Sequence, residues 1–563
     1  MSKSKKVVAK KKQEAVYQEP ILKPTSKFNF TLEEGVVTGL LVLLLFLVYI
    51  IRSKFLYIPF ERDEGIYSYF GKLILEGKIP YKDFYEVKFP GIFYFYGFMV
   101  SVFGATVKGM HLGFLYLNLA TIIIIYNASR QLFSPIAGLI SAITFAFVSL
   151  TPNLSGFTIQ AEHGVAFFTS LGILFYALSK KHSKWYWYGL MGLAMGCAFM
   201  VKTSGVLFCL WGGIIILLDF IFTSPKNYKS FFINISSYTI GGVSIVALLF
   251  LIIYSKGSFD DMYYWTFEHS KQYVGAMPFE EGIKYFKYTR DAILENYKMF
   301  WYHSILAVLL IWFKGIDLKL KFFGLTLSLF SFLTVVPGFY FYGHYFIQTI
   351  PGFSVVAGLT YYCFNTILKN TFKVKKEGVK YLYLVVFCFL TFSHFNAQKS
   401  YYLSPNYEQI LRTIYGNNPF PESMEIANYI NANAKPEDNI VLIGSEPQIY
   451  FYTNKKCPSR HAYFTALVNN VPKHKEWQKE FISDVEKVKP RYFVFFKHSI
   501  SLLVQQGADT YVFEWANKYI NENYKLVGLI DMPPNARSIY VWNEQLNTYK
   551  PTSETIIYIF ELK

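Results

Sequence analysis

The residues best suited to chemistry lie in one polar stretch, Phe60 to Gly91, which directly follows a long apolar segment. It contains six acidic residues and ends in Lys88-Phe89-Pro90-Gly91. Carboxylates beside a bilayer are costly unless they face water, a cation or a substrate. A carboxylate placed there could take a proton from a hydroxyl group, and a lysine could stabilise a developing negative charge. The stretch therefore predicts a reaction site at a membrane face.

Three later motifs could join this site, because each is polar and borders an apolar segment. They are Gln160-Ala161-Glu162-His163, Lys202 within a run of Gly, Ala and Met, and Gly343-His344-Tyr345-Phe346 followed by Gln348 and Pro351. These residues can meet only if the intervening apolar segments return them to one side of the membrane. The positions of those segments therefore decide whether a single site exists.

The composition is typical of a multi-pass membrane protein. The chain has 563 residues, of which 53% are hydrophobic and 20% aromatic, and apolar runs of spanning length recur between short basic loops. A span needs about 20 apolar residues. The net charge of +17 would suggest nucleic-acid binding in a soluble protein, but here it matches lysine-rich loops on the cytoplasmic side. We expect no nucleic-acid partner. The five cysteines form neither a disulfide framework nor a zinc spacing, and no cleavable signal peptide is visible.

The path of residues Pro90–Phe103 decides the topology. If this segment crossed the bilayer, Glu162 would lie inside and Lys180 outside. If it lies at the outer interface, every short lysine-rich loop falls in the cytoplasm, as the positive-inside rule requires. Fourteen residues are also short for a span. We therefore predict about eleven spans, with the N-terminus inside and the C-terminus outside, at 32–51, 110–128, 133–151, 163–179, 186–202, 205–222, 232–254, 299–313, 321–339, 344–366 and 379–395.

Three regions follow from this topology. Residues 1–31 are predicted to form a disordered basic cytoplasmic tail, and residues 32–395 a transmembrane domain whose outer loop, 52–109, contains a short helix over Asp63–Gly77. A second interfacial helix is expected within Ser255–Lys298. Residues 396–563 read as an extracytoplasmic soluble α/β domain. Its predicted strands are Asn439–Gly444, Arg491–Phe496, Tyr524–Ile530, Ser538–Trp542 and Thr555–Leu562, and its predicted helices are Ile426–Ala432 and Thr510–Asn523.

The motifs resemble those of a known superfamily. Asp63-Glu64-Gly65, Gly77-x-x-Pro80-Tyr81-x-Asp83 and Lys88-x-Pro90-Gly91 are similar to the first outer loop of bacterial GT-C glycosyltransferases. The branch related to protein O-mannosyltransferases and the lipid A aminoarabinose transferase is the most similar. The Glu162-His163, Gly196-x5-Lys202-x-x-Gly205 and His344-Tyr345-Phe346-x-Gln348-x-x-Pro351 motifs extend the resemblance to about Thr360, and weakly to Gly444–Gln448 and Pro458–Arg460. Ile66 departs from it, since the aminoarabinose branch tends to have a basic residue there.

The resemblance implies a polytopic helical GT-C fold and inverting transfer of a sugar. The donor would be a polyprenyl-phosphate-linked sugar, and the acceptor a lipid, a glycan or a protein at the outer face of the cell (inner) membrane. The candidate catalytic residues are Asp63, Glu64 and Glu162, with Asp63 as the base. Glu64 points elsewhere on the helix and suits a structural or pairing role, for instance with a lysine. Glu162 could position the acceptor, hold a divalent cation with Asp63, or act on Asp63 through its charge. The candidate groups for the donor phosphate are Lys88, Lys202, His344 and Tyr345.

Each candidate also has a plain structural interpretation. Asp63 and Glu64 could only cap a helix, Glu162 could be a solvated loop acid, and His163 is more easily explained as a buried histidine. Lys88 and Lys202 could be interface lysines whose stems lie along apolar surface, and His344-Tyr345 could belong to an aromatic belt. Asp83 and Glu86 are taken as surface charges. The Gly444-Ser445-Glu446 sequence lacks the glycine spacing of a phosphate loop.

Other functions remain open at this point. A polytopic transporter or lipid flippase would explain charges within the membrane, but it predicts discontinuous helices and repeated halves, which the sequence does not display. A membrane scaffold that presents the C-terminal domain predicts that Asp63 is dispensable. An O-antigen ligase or polymerase would use basic residues of a late outer loop.

Overall fold

The computed structural model describes residues 31–271, 277–374, 378–534 and 536–563. The predicted basic tail, apart from Thr31, and the lysines at 375 and 376 lie outside the described residues. Thr31 caps the first helix, because its hydroxyl accepts a hydrogen bond from the backbone of Glu34 while the Glu34 carboxylate accepts one from Thr31 N. This is the reciprocal arrangement called a capping box.

The first region is helical. Its helices are α1 (Leu32–Ser53), α2 (Arg62–Leu75), α3 (Gly91–Phe103), α4 (Val107–Leu132), α5 (Pro135–Val148), α6 (Ala161–His182), α7 (Trp185–Val201), α8 (Val206–Phe222), α9 (Tyr228–Ser255), α10 (Phe259–Tyr263), α11 (Phe279–Leu294), α12 (Lys298–Leu310), α13 (Leu318–Leu333), α14 (Ile350–Asn370) and α15 (Gly378–Ala397). Short 3-10 turns occur at Pro152–Leu154, Thr203–Gly205 and Gly343–Thr349, and a π-helical turn at Tyr264–His269.

Each of the predicted spans overlaps one of these helices, but 321–339 runs past the end of α13 and 344–366 begins in the turn before α14. Within the described residues, six segments are long and apolar enough to cross a membrane: Leu32–Ser53, Val107–Leu132, Ala161–His182, Thr203–Phe222, Tyr228–Ser255 and Gly378–Ala397. Shorter apolar helices are α3, α5, α7 and α12. The chain is thus a multi-pass helical membrane protein, and the number of helices that cross stays a prediction. A helix, α11, is present within residues 255–298 as expected, and its position at the membrane interface stays a prediction.

Ion pairs identify one end of the helical region. Glu34 in the first turn of α1 contacts Arg130 in the last turn of α4, with 2.6 Å between carboxylate and guanidinium. Glu33 contacts Lys380 at the start of α15 at 2.7 Å. The start of α1, the end of α4 and the start of α15 therefore lie together, at what we call the N-terminal end. This agrees with the predicted clustering of basic residues on the side of the N-terminus.

The opposite end, which we call the site end, holds α2 and α3. His111, at the start of α4, contacts the carbonyl of Leu56, just past the end of α1, at 3.3 Å. The chain between these residues therefore leaves and returns at the same end, and α3 does not carry it across. The contact agrees with the interfacial interpretation of Pro90–Phe103, which stays a prediction. Gly77 has φ 82°, a left-handed conformation that favours glycine, and it stands just past the end of α2.

The C-terminal domain follows α15. Its helices are α16 (Lys399–Leu403), α17 (Tyr407–Tyr415), α18 (Phe420–Asn433), α19 (Gln448–Thr453), α20 (Thr465–Val468), α21 (His474–Val488), α22 (Ser499–Leu502) and α23 (Tyr511–Asn523). Its strands are β1 (Ile440–Ile443), β2 (Tyr492–Lys497), β3 (Tyr524–Asp531), β4 (Ile539–Trp542) and β5 (Ile556–Leu562).

These strands form one five-stranded sheet in the order β1-β2-β5-β3-β4. The β1–β2 pair is parallel and the other pairs are antiparallel. All the strands and helices predicted for this part of the chain are present, most of them to within one or two residues. Apolar side chains of β1 and β2 are buried on both faces, which explains why these strands read as continuous apolar runs.

The C-terminal domain packs directly on the site end. The ring of Tyr85, in the loop between α2 and α3, stacks on Trp265 with centroids 3.7 Å apart, and Trp265 stacks on Trp477 of α21 at 4.8 Å. The Tyr85 hydroxyl also lies 2.7 Å from Nδ1 of His461. Three segments that are distant in sequence thus meet in one aromatic cluster, which we call the ring junction.

Candidate active site

The first turn of α2 separates two adjacent carboxylates. Glu61 is the N-cap, and its side chain accepts a hydrogen bond of 2.6 Å from Glu64 N. Successive helical residues diverge by about 100°. Asp63 is half-buried, and within the described residues its one hydrogen bond is a long one, 3.5 Å from the Tyr67 hydroxyl. Asp63 therefore has free acceptor capacity.

Glu64 is fully buried and faces the opposite way. Its Oε1 accepts a hydrogen bond of 3.0 Å from Ile159 N and lies 2.9 Å from Nε2 of His111. These contacts fasten α2 to α4 and to the segment that leads into α6. The sequence predicted a pairing role, for instance with a lysine, and the partner in the structure is a histidine.

Lys88 and Asp63 both contact the hydroxyl of Tyr67. The Lys88 ammonium donates a hydrogen bond to the Tyr67 hydroxyl, lies 4.6 Å from the centroid of that ring, and is 3.9 Å from Glu86. Burial disfavours the charged form, but the charges of Glu86, Asp63 and Glu162 outweigh this and raise the pKa of Lys88. The prediction that Glu86 is a surface charge is wrong, because its side chain is only 11% exposed and faces Lys88. Asp83 is exposed, and it caps Ile79 N at 2.7 Å.

Glu162, Lys202, His344 and Tyr345 form a second group at the same end. The Lys202 ammonium forms an ion pair with the buried Glu162 carboxylate and lies 3.6 Å from the centroid of the Tyr345 ring. His344 Nε2 is 3.9 Å from Glu162, and its ring meets that of Tyr345 edge-on at 4.8 Å. Glu162 is therefore a partnered buried acid and not a solvated one.

Local structure explains how this second group is held. Gln160 precedes α6, and its backbone N–H donates to Nδ1 of His163 at 3.1 Å, so His163 is a buried residue at the helix start. Lys202 stands at the break between α7 and α8. The Ser204 hydroxyl donates to Gln348 at 2.5 Å and joins that break to the turn that carries His344. Three separate helix boundaries thus present side chains to one place.

The two groups share one electrostatic environment. Both Asp63 and Glu162 contribute to the field at Lys88, and Asp63 also acts on Lys202 and His344. The structure therefore brings all the predicted site residues to one end, where Asp63, Lys88 and Lys202 are half-buried and Glu64 and His163 are buried.

Several residues of the site were missed by sequence reasoning. Glu61 is buried, accepts a hydrogen bond of 3.0 Å from Gln160 Nε2, and has its pKa raised to about 8 by burial and by the charge of Asp63. Tyr67 follows Asp63 at the i+4 spacing that places two side chains on one helical face, so this signal was available. Burial, together with the negative charges of Asp63 and Glu86, raises the pKa of Tyr463 of the C-terminal domain, which therefore approaches the site from outside the helical region. Nothing in the local sequence could indicate that approach.

A metal site is not apparent. Across the described ranges, no group of three or more His, Cys, Asp or Glu side chains is arranged to hold an ion. Of the two predicted ligands, Asp63 and Glu162, the Glu162 carboxylate is already occupied by its ion pair with Lys202. These residues do not fit a metal held by the protein alone.

Comparison with known proteins was made on both sequence and fold. A family described as dolichyl-phosphate-mannose-protein mannosyltransferase matches residues 87–258. No curated protein sequence matches the chain significantly. The fold is similar to that of ArnT from Cupriavidus metallidurans in the apo state, with a TM-score of 0.57 and 12% identity over 93% of this chain and 98% of that one. The chain has a GT-C fold.

Two further structures support the GT-C fold. ArnT from Cupriavidus metallidurans bound to undecaprenyl phosphate has a TM-score of 0.54 at 12% identity, over 93% of this chain and 97% of that one. The archaeal oligosaccharyltransferase AglB from Archaeoglobus fulgidus, in complex with an inhibitory peptide and a dolichol-phosphate, has a TM-score of 0.50 at 11% identity, over 91% and 75%. The resemblance of the sequence to the GT-C superfamily is thus confirmed.

Proposed function

We propose that the protein is an inverting glycosyltransferase that moves a sugar from a polyprenyl-phosphate carrier to an acceptor hydroxyl. The observation that supports this most directly is the Asp63 carboxylate, which keeps free acceptor capacity at the end of the helical region where Lys88 and Lys202 also lie. Such a carboxylate can take a proton, while the lysines can stabilise a phosphate leaving group.

In the proposed step, Asp63 takes the proton of the acceptor hydroxyl as its oxygen bonds to the anomeric carbon. The bond from that carbon to the phosphate oxygen breaks, and its electron pair remains on the polyprenyl phosphate. Attack from the face opposite the leaving group inverts the anomeric configuration. The products are the glycosylated acceptor and polyprenyl phosphate, and protonated Asp63 returns its proton to water.

The lysines have donors to spare for the phosphate. An ammonium group has three N–H donors. Lys88 uses one on Tyr67, and Lys202 uses one on Glu162, so both can donate to phosphate oxygens as the charge there grows. His344 and Tyr345 stand against Lys202 and complete the proposed phosphate contacts. Glu162 would hold Lys202 and His344 in place, and Glu64 would anchor α2.

The names of the relatives support the donor class. One ArnT structure holds undecaprenyl phosphate and the AglB structure holds a dolichol-phosphate, both of which are polyprenyl phosphates. We propose the same class here, with a lipid, glycan or protein acceptor and membrane lipids as further partners. The site end and the C-terminal domain would face outward from the cell (inner) membrane, and the N-terminal end would face the cytoplasm.

The test is an Asp63→Asn variant, assayed for transfer of radiolabelled mannose, glucose or aminoarabinose from undecaprenyl phosphate to acceptors in native membranes. Loss of a general base predicts a fall of about 10²- to 10⁴-fold. Asp83→Asn is the matched control, because Asp83 lies in the same loop and is exposed. Full activity of a folded Asp63→Asn protein would refute the mechanism.

The same assay tests the role of a divalent cation. Since the residues of the site do not fit a protein-held metal, we expect transfer to continue after treatment with EDTA. A loss that added magnesium or manganese restores would instead support an ion bound jointly by the carboxylates and the donor phosphate.

A further inference from the structure

The side chain of Arg62, the residue before Asp63, points away from the lysines and into the C-terminal domain. Its Nε donates to the carbonyl of Ser445 at 2.5 Å, and its Nη2 lies 3.0 Å from Oε1 of Glu446 and 3.1 Å from Oδ1 of Asn418. An arginine beside a proposed phosphate site would ordinarily be assigned to the phosphate. Here its Nε and Nη2 donors are taken up by another domain.

The Glu446 carboxylate that contacts Arg62 also has partners within its own domain. Glu446 is fully buried, and its second oxygen accepts a hydrogen bond from the Ser501 hydroxyl. Ser501 also accepts a hydrogen bond of 3.3 Å from Ser445 N. The loop between β1 and α19 is therefore built around the pair. Breaking one partner of a buried ion pair leaves an uncompensated charge, so the contact resists separation.

The contact continues along one face of α2. Arg62, Gly65 and Tyr69 follow the i, i+3, i+7 spacing of a single helical face. Tyr69 stacks on Tyr450 at 5.3 Å, and its hydroxyl accepts a hydrogen bond of 3.0 Å from Cys457 N. Asp63 and Tyr67 lie on the next face, about 100° around the helix. One face of α2 is thus bound to the C-terminal domain while the adjacent face presents the proposed base.

We propose that the Arg62–Glu446 pair makes the C-terminal domain the element that sets the rotation of α2 and so positions Asp63. Arg62 and Glu446 are positioning residues, and the inference rests on the proposed function of Asp63. A side-chain group lies about 5–6 Å from a helix axis, so a rotation of about 10° moves it by about 1 Å. A displacement of that size can cost about 10²-fold in rate.

The test uses Arg62→Gln, Glu446→Gln and the double variant. Glu446→Gln keeps an acceptor oxygen, so it preserves the shape of the loop while it removes the charge. Each single variant is expected to lower kcat by about 10- to 100-fold while KM for the donor stays within about threefold. The double variant should be no worse than the single ones, because all three remove the same contact.

Asp531→Asn is the matched control. Asp531 is another fully buried carboxylate of the C-terminal domain, where it accepts hydrogen bonds from Tyr549 and Thr552 and has no contact with α2 among the described residues. We expect this variant to lower Tm and leave kcat unchanged. Hydrogen exchange adds a measurement that does not depend on activity. Peptides covering 62–75 should exchange faster in Arg62→Gln and Glu446→Gln, and at the wild-type rate in Asp531→Asn.

Unchanged exchange in α2, or unchanged kcat in both single variants, would overturn the proposal. An equal loss of kcat in Asp531→Asn would also overturn it, because the effect would then be general destabilisation. Failure of the proposed function would appear separately, as full activity of Asp63→Asn, a variant in which the Arg62–Glu446 pair is intact.

Discussion

At the scale of single residues, neighbouring acids have different roles because their side chains leave the helix in different directions. Asp63 accepts one long hydrogen bond, from the Tyr67 hydroxyl that Lys88 also contacts, whereas Glu64 is enclosed between His111 and the backbone of Ile159. The Glu61 carboxylate accepts hydrogen bonds from the backbone N–H of Glu64 and from the side-chain amide of Gln160. Three carboxyl groups can coexist within four residues because Glu61 and Glu64 are buried and hydrogen-bonded, and only Asp63 keeps free acceptor capacity.

Glu61 predicts a pH dependence of stability. Its pKa is raised by burial from an ordinary value near 4.5 to about 8. Between these pH values the unfolded chain releases the proton while the folded protein retains it, so the free energy of unfolding falls as pH rises. Each unit by which the two pKa values differ corresponds to about 1.4 kcal/mol. Glu61→Gln lacks this dependence and should gain Tm over the wild type progressively from pH 5 to pH 8.

Thermal unfolding in detergent at several pH values measures this difference. Asp83→Asn, whose carboxylate is exposed, should follow the wild-type curve. Parallel curves for Glu61→Gln and the wild type would show that Glu61 is ionised in the folded protein at neutral pH.

The residues that sequence reasoning found and missed differ in a physical way. Lys88, Glu162, Lys202 and His344 stand out because charge beside an apolar run is costly and rarely accidental. The sequences around Glu86 and Asp83 are similar in composition, yet only Glu86 faces Lys88, while Asp83 caps Ile79 N. That distinction depends on how the loop folds back over α2, and no local pattern encodes it.

At the scale of elements, α2 serves three neighbours at once. One face binds the C-terminal domain, one presents Asp63, and one is fastened to α4 through Glu64. The helix packs closely at Gly65, where an added Cβ would lie 2.5 Å from the Cβ and 2.8 Å from the Cα of Gln448. A glycine inside a helix is costly by roughly 0.5–1 kcal/mol relative to alanine, so its presence here requires a reason, and close packing supplies one.

Gly65→Ala should therefore lower both Tm and sugar transfer, because the new methyl group forces α2 and α19 apart. Gly39→Ala in α1 is the matched control, since an added Cβ there meets nothing within 4 Å. That variant should be neutral or slightly stabilised. If Gly65→Ala behaved like Gly39→Ala, the contact between α2 and the C-terminal domain would be looser than the structure indicates.

The bounds of the helices and strands were largely predictable, since apolar periodicity and the Gly and Pro residues at their ends are local signals. The helix predicted over Asp63–Gly77 is found at Arg62–Leu75, and the strand predicted over Thr555–Leu562 at Ile556–Leu562. The sheet order was not predictable in the same way. It places β5 between β2 and β3, and such pairing depends on contacts between distant segments.

At the scale of the whole molecule, charged groups mark two opposite ends. Glu33 and Glu34 gather Lys380 and Arg130 at the N-terminal end, while Asp63 and Glu162 gather Lys88 and Lys202 at the site end. Phe323 of α13 lies 6.3 Å from Phe133, which follows α4, so the start of α13 also belongs to the N-terminal end. The proposed orientation assigns these two ends to opposite sides of the bilayer.

Thiol labelling tests that orientation. In a background without the five native cysteines, a membrane-impermeant maleimide should label Lys82→Cys in intact cells. It should label Lys319→Cys only after permeabilisation. Both positions are exposed, and each lies at a different end. Labelling of Lys319→Cys alone in intact cells would show that the orientation is the reverse of the proposed one, with the site in the cytoplasm.

The ring junction has a practical consequence for spectroscopy. Tyr85, Trp265 and Trp477 come from three segments, and the Trp265 ring stacks on each of the other two with centroids 3.7 Å and 4.8 Å apart. Stacked indoles couple their excited states, so their ultraviolet circular dichroism and emission depend on how closely the rings approach. The near-ultraviolet circular dichroism of the protein should therefore report whether the loops of the site end and the C-terminal domain stay in contact when the proposed lipid substrate binds.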